Sequence, residues 1–244
     1  MSTLKDNIKI IPQELYTFSA TQGTDLGALA TTGDGRYYRY VKMGATTAVP
    51  GTVLQAPASD AVNLEPAGGL AIGQANATGS YGPFTISTST TIAANLLQGA
   101  IMSVAVTPGQ GYSYKVKSNS ATAAATGLSI TLEDPLQTNL STASRVVFQL
   151  NPYNGVIITP ATLTGPVVGV AVSAIPPAQF GWVQTRGLAS VLISGAAAPG
   201  AGLIPTPGGT SGSAGTATGA WPVIGFTSAT ATTTEYDLVN LSID

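Results

Sequence analysis

Glycine and proline recur so often along this chain that few windows remain in which a long helix could run. There are 29 glycines and 16 prolines in 244 residues, and each one inside a helix removes a backbone hydrogen bond or adds conformational entropy to be lost. Between these breakers lie short runs rich in Val, Ile, Thr and Tyr, the pattern of sandwiches and barrels. The expectation is an all-β fold: an antiparallel β-sandwich or barrel, as one large or two small β-domains. Strands are predicted at Tyr37–Met43, Gly51–Gln55, Phe84–Thr88, Ile101–Val106, Tyr112–Lys117 and Leu128–Leu132. Others follow at Arg145–Leu150, Val156–Thr159, Val167–Ser173, Phe180–Thr185, Ala189–Ile193 and Tyr236–Ile243. Pro108-Gly109-Gln110-Gly111 and Asn151-Pro152-Tyr153-Asn154-Gly155 have turn chemistry, since Pro presets φ and Gly supplies positive φ. Ile92–Gln98 could form one short helix, ended by Gly99. Asn119–Gly127, rich in alanine but without an apolar stripe, reads as a loop.

Three zones divide the chain. Residues 1–35 mix charge, Gly and Thr around sparse apolar anchors such as Ile8, Ile10, Ile11, Leu15, Tyr16 and Phe18. They read either as an extended N-terminal arm reaching a neighbouring subunit or as a first strand with a mobile tip. Residues 36–160 carry most of the strands and nearly all the remaining charge. Residues 161–244 are very poor in charge and read as a second β-region. Within it, 196–220 is a Gly/Ala/Ser/Thr/Pro stretch containing Pro199-Gly200-Ala201-Gly202 and Pro207-Gly208-Gly209-Thr210-Ser211-Gly212, which reads as an uncharged surface loop. There is no exact internal repeat.

Charge narrows the function classes. Only 8% of residues are charged, although 44% are apolar, against a typical charged share of about a quarter. A soluble monomer keeps its copies apart with charge. A surface of Thr, Ser, Asn, Gln and small apolar groups instead tolerates close neighbours, because little charge must be stripped of water on docking. A secreted or thermally robust β-protein with a neutral surface would share this composition. The net charge is −2 and the sequence pI about 5.0, so nucleic acid is not an expected partner. The nearest basic cluster, Arg36, Arg39 and Lys42 among Tyr37, Tyr38 and Tyr40, reads as a strand with Arg36, Tyr38 and Tyr40 on one face and Tyr37, Arg39 and Val41 on the other. Met1-Ser2-Thr3-Leu4-Lys5-Asp6 lacks the apolar core of a signal peptide, and no run approaches the ~20 apolar residues of a membrane span. The expectation is a protein made and assembled in a cytoplasm, with no membrane partner.

Chemistry finds little purchase. With neither cysteine nor histidine, disulfides, structural zinc and histidine-assisted nucleophiles are excluded. No Ser-x-x-Lys arrangement opens a helix. The one adjacent carboxylate pair, Glu133-Asp134 before Pro135, reads as a strand end entering a turn, because neighbours on a strand point to opposite faces. Gly33-Asp34-Gly35 and Gly109-Gln110-Gly111 lack the remaining glycines and the helix of a nucleotide-binding loop. Asp25 and Asp34 fit no recognised calcium spacing, and the sequons at Asn76 and Asn139 mean nothing without secretion. Trp182 and Trp221 read as core. The expectation is a non-enzyme with no catalytic, cofactor-binding or metal-ligating residues.

Several segments also carry a resemblance. Phe180-Gly181-Trp182-Val183-Gln184-Thr185-Arg186-Gly187, followed by Ala189-Ser190-Val191-Leu192-Ile193, is similar to a segment common in structural proteins of tailed-bacteriophage virions. Gly35-Arg36-Tyr37-Tyr38-Arg39-Tyr40-Val41 resembles their early strand, and Gly111–Lys117, Leu132–Leu136 and Asn151–Val156 fit the same pattern. Together these span most of residues 35–195 and include no catalytic residue. The resemblance implies a structural protein of the phage head, a capsid decoration or cement protein. Such a protein sits on the outer shell, often as a homotrimer, with the major capsid protein as partner. The chain is longer than a compact cement domain, which leaves open a head-fibre, tail or baseplate component with host or glycan binding. In physical terms, Phe180, Trp182 and Val191 would anchor a small core, burial of Trp182 contributing about 2–3 kcal/mol.

Overall fold

The computed structural model describes residues 8–58, 64–89, 91–123, 127–205, 209–219 and 221–244. The chain forms two compact units, one made of residues 1–58 and 152–244, the other of residues 59–151 inserted between them. Both are built from β-strands, as the punctuation of the sequence requires. In the first unit, β1 (Ile8–Lys9), β2 (Leu29–Thr31), β3 (Tyr37–Met43) and β4 (Val53–Gln55) precede the insertion. The insertion holds β5 (Leu70–Ala71), β6 (Phe84–Ser87), β7 (Ile101–Val106), β8 (Ser113–Asn119), β9 (Gly127–Leu132) and β10 (Arg145–Gln149). The first unit then resumes with β11 (Asn154–Ile158), β12 (Val167–Ala171), β13 (Phe180–Leu192) and β14 (Gly202–Pro205), then β15 (Ala214–Thr216), β16 (Gly225–Thr227) and β17 (Tyr236–Ser242). Among the described residues the helical content is one 3₁₀ turn at Pro12–Tyr16.

In the first unit β3, β11, β4, β12 and β13 pair in that order, and β13 pairs back onto β3, closing a five-stranded barrel. Its interior is filled by Val41, Met43, Leu54, Val156, Val168, Ile175 and Val183. β13 is 13 residues long, more than twice an average strand, and its far half enters a second ring. There it pairs with β17, then β16, β14 and β15, and the ring is completed by a bridge between Ile193 and Ala214. This second barrel is narrow, and small side chains such as Ala189, Ala197, Ala214 and Ala231 share its core with Val191, Leu203 and Val239.

The passage between the barrels is written in β13 itself. Pairing with β3 slips between Gln184 and Arg186, a bulge that turns the strand. The buried Gln184 amide donates to the carbonyls of Arg186 and Leu188. Gly187 follows at φ +82°, where an added Cβ would stand 2.9 Å from the Gly35 carbonyl. Phe180, Trp182 and Val191 therefore do not anchor one core. Phe180 and Trp182 pack on the outside of the first barrel with Tyr40, and Val191 lies inside the second.

The inserted unit is a third barrel. β5, β10, β7, β8, β9 and β6 pair in sequence, and a bridge between Ile72 and Ile86 joins the ends. Alternation does the work: β9 buries every second residue and β8 does so as far as Val116, placing Tyr114 and Val116 beside Leu128, Ile130 and Leu132.

Four expectations are corrected. The division falls at 58/59 and 151/152 rather than at 35/36 and 160/161, because β11 pairs with β3 and β4 and so joins the first unit. The described part of residues 1–35 lies on its own chain: β1 and β2 extend the sheet beside β3, and Ile10 and Leu15 are buried against Phe180 and Trp182. Residues 1–7 lie outside the described residues, as do 206–208, with Pro207 and Gly208, and 220. The stretch 196–220 is not a loop throughout, since it supplies β14 and β15. Ile92–Gln98 forms turns rather than a helix, with Asn95 at φ 59°. Instead of helical bonds, the Asn119 side chain accepts from the Leu97 N–H and donates to the Ala93 carbonyl.

Candidate functional site

The residues singled out for possible chemistry are occupied structurally. Arg36 lies 2.7 Å from Asp34, and the Arg36 guanidinium, aided by the Thr32 hydroxyl, holds the Asp34 carboxyl well below the usual carboxylate range. Arg39 pairs with Asp244 at 2.7 Å and donates to the Gly27 carbonyl. Lys42 stands 5.5 Å from the Phe180 ring centroid, and Arg186 lies 5.7 Å from that of Tyr37. The basic strand thus spends its cations within its own chain. Glu133 pairs with Lys115 at 3.0 Å, in the bend that follows β9. The sequons tie two loops together: Asn76 bridges Leu140, and the Asn139 side-chain carbonyl accepts from Thr78. Among the described residues no three acidic side chains converge to hold a metal ion. Trp182 is buried, and Trp221 is partly so.

What stands out is a surface. Between Arg145 and Glu235 the only charged residue is Arg186, and this stretch supplies β13–β16 in full, with β17 following and carrying Asp237. The register of β13 with β17 and β16 sets which side chains face outward. Leu188 lies opposite Asn240, Ser190 opposite Leu238, and Phe226 opposite Asn240 on the other side. Leu188, Leu238, Tyr236 and Phe226 are 52%, 54%, 52% and 49% exposed. Strand alternation sends Ala189, Val191, Val239 and Leu241 inward to the core, and leaves these four outside with nothing from the described chain to cover them.

A groove of about 630 Å³ runs along this face, with Leu188, Leu238 and Tyr236 on one side and Tyr16, Val49 and Pro50 among its other walls. At the end near Arg36 and Tyr16 sits Tyr38, fully buried, whose hydroxyl has no hydrogen-bond partner. Burial pushes its phenol up from the ordinary value; the Arg36 charge and the neighbouring Thr32 hydroxyl, which does not reach hydrogen-bonding geometry, oppose this more weakly. A second shallow cavity continues from Val49 and Tyr236 to Ile157, Ile158 and Leu192. The arrangement has no nucleophile–base pair and no paired carboxylates. It offers a largely apolar contact area edged with hydroxyl and amide groups, its one lining charge, Arg36, being paired with Asp34. Sequence reasoning found the scarcity of charge but not this face, because outward and inward positions are separable only once the pairing of β13 is known.

Comparison with known proteins finds no matching family model, no similar curated protein and no similar solved structure.

Proposed function

We propose that the protein is a non-enzymatic structural component of a bacterial virus particle, a decoration or cement protein. In this reading it binds the outside of the major capsid shell in the phage head as a homo-oligomer, a trimer by the resemblance, and assembles in the host cytoplasm. The observation that carries it is the apolar outer face of the second barrel. Four large apolar side chains stand about half exposed there, on strands β13, β16 and β17, whose charged residues are Arg186 and Asp237 alone. Exposed apolar surface that is contiguous marks a contact site, and docking on it strips little bound water from ions. A cement protein needs that kind of surface, since it adds buried area across subunit junctions that resist the pressure of packaged DNA.

Mass spectrometry of purified virions, with copy number taken relative to the major capsid protein, tests this. A ratio near one or a small simple fraction is expected for a shell protein. Absence from the particle, or only a few copies, overturns the shell role.

A second reading, a head-fibre, tail or baseplate component that binds host or glycan, is favoured by one feature. Tyr16 and Tyr236 both line the groove and are 59% and 52% exposed, and exposed aromatic rings can stack on sugar faces. A glycan array with the purified protein separates the two readings. Specific binding lost in Tyr236→Ala supports the second, and no binding leaves the first.

A further inference from the structure

We propose that the outward face of β13, β17 and β16 is a self-association surface, packed in solution against the same face of a second copy of this chain. The proposal draws on the same apolar surface as the shell reading but does not require a virus particle.

The occupant follows from the chemistry of the face. Leu188, Leu238, Phe226 and Tyr236 are about half exposed, and Tyr16 and Val49 continue the patch across the groove. Arg36, the one charged side chain lining that groove, is already paired with Asp34. A partner carrying ions would have to shed their water here with no opposite charge to receive them. The occupant is therefore largely apolar. A second copy of this face meets that condition, and its exposed cation, Arg186 opposite Ser242 at the edge of the face, is already drawn to the Tyr37 ring 5.7 Å away.

Geometry adds a register. Asn240 sits between Phe226 and Leu188 on the outward face. Its amide has both donors and an acceptor. In an isologous contact each residue meets its own counterpart or a reciprocal one, so two Asn240 side chains near the axis satisfy each other inside an apolar surround. A polar group in that position fixes one alignment against slippage. Size is adequate as well. Three aromatic rings left half exposed carry on the order of 300 Å², and the leucines and the uncharged Ser and Asn rim extend this toward the ~800 Å² per partner of a standard interface.

The test is sedimentation velocity on the full chain at a concentration on the order of 50 μM, well above a tight homodimer's dissociation constant. The wild type is expected to sediment as a dimer or an even-numbered closed oligomer, since a same-face contact joins copies in pairs. The Leu188→Lys/Leu238→Lys double variant is expected to self-associate at least tenfold more weakly. Leu188→Ser/Leu238→Ser, with an unchanged thermal melt, serves if the lysines impair folding. A monomeric wild type overturns the proposal, as does undiminished association of folded variants. If the wild type is monomeric and the variants lose binding to virus heads, the face belongs to the shell: self-association is then wrong and the shell reading survives. If association is lost as expected but virions lack the protein, the reverse holds.

Discussion

At Tyr38 a hydroxyl has been taken out of water and given nothing in return. It is fully buried without a hydrogen-bond partner, and such a group typically costs about 1–3 kcal/mol. Tyr38→Phe keeps the ring and is expected to stabilise the protein by about 1 kcal/mol, read as a higher urea midpoint at unchanged slope. Because burial raises the folded-state phenol above its unfolded value, the neutral form is favoured in the fold. That part of the stability is complete below about pH 10 and is lost as pH rises further, so the variant's advantage widens in alkali. Asp34 works in the opposite sense. Arg36 and Thr32 depress its folded-state pKa, so its contribution is present above the unfolded carboxylate range and fades as pH falls through the folded value. Wild type and Asp34→Asn should therefore differ at neutral pH and converge in strong acid, with a small gap throughout because the pair is solvent-exposed. None of this was legible in sequence. The alternation of β3 places Tyr38 on the same outer face as Tyr40, but whether its hydroxyl finds a partner depends on residues brought in from the 3₁₀ turn and β13.

β13 is the element on which the first unit turns. Gly187→Ala places a side chain at φ +82° and 2.9 Å from the Gly35 carbonyl, so it should cost about 1–3 kcal/mol, measured by chemical denaturation. The strand's existence was legible from Phe180–Thr185 and Ala189–Ile193, and so was Ile101–Val106 to the residue. The joint at Gln184–Gly187 was not, because a bulge leaves no period in the sequence. β14 and β15 were missed for a different reason. Their Gly, Ala, Thr and Pro content reads as loop, yet a narrow barrel admits only small inward side chains, as Ala197, Ala214 and Ala231 show. β2 and β5, at three and two residues, are too short to display any alternation. The Ile92–Gln98 helix failed because an amide from Asn119, distant in sequence, took over the backbone groups a helix would have used.

At the scale of the molecule, two units with separate cores predict more than one thermal transition, since two-state behaviour belongs to single cooperative domains. Phe148→Ala removes a buried ring from the inserted barrel and should cost about 3–5 kcal/mol. Calorimetry should record this as a downward shift of one transition with the other unmoved. Trp182→Ala should shift the other. The apolar face makes a further prediction: self-association through it should be almost indifferent to ionic strength, because there are few charges for salt to screen. The composition revealed the scarcity of charge at 8% charged residues, but not which large apolar side chains stand outward on β13, β16 and β17. One consequence concerns proteolysis. Past Arg145 the chain offers trypsin a single bond, Arg186–Gly187, and that bond lies inside β13 where the strand passes from one barrel to the next. While both rings stay closed the scissile segment is held in the sheet and out of reach of the protease. Cleavage there can proceed only when β13 lets go, so the appearance of the two long tryptic fragments times the opening of both barrels at once.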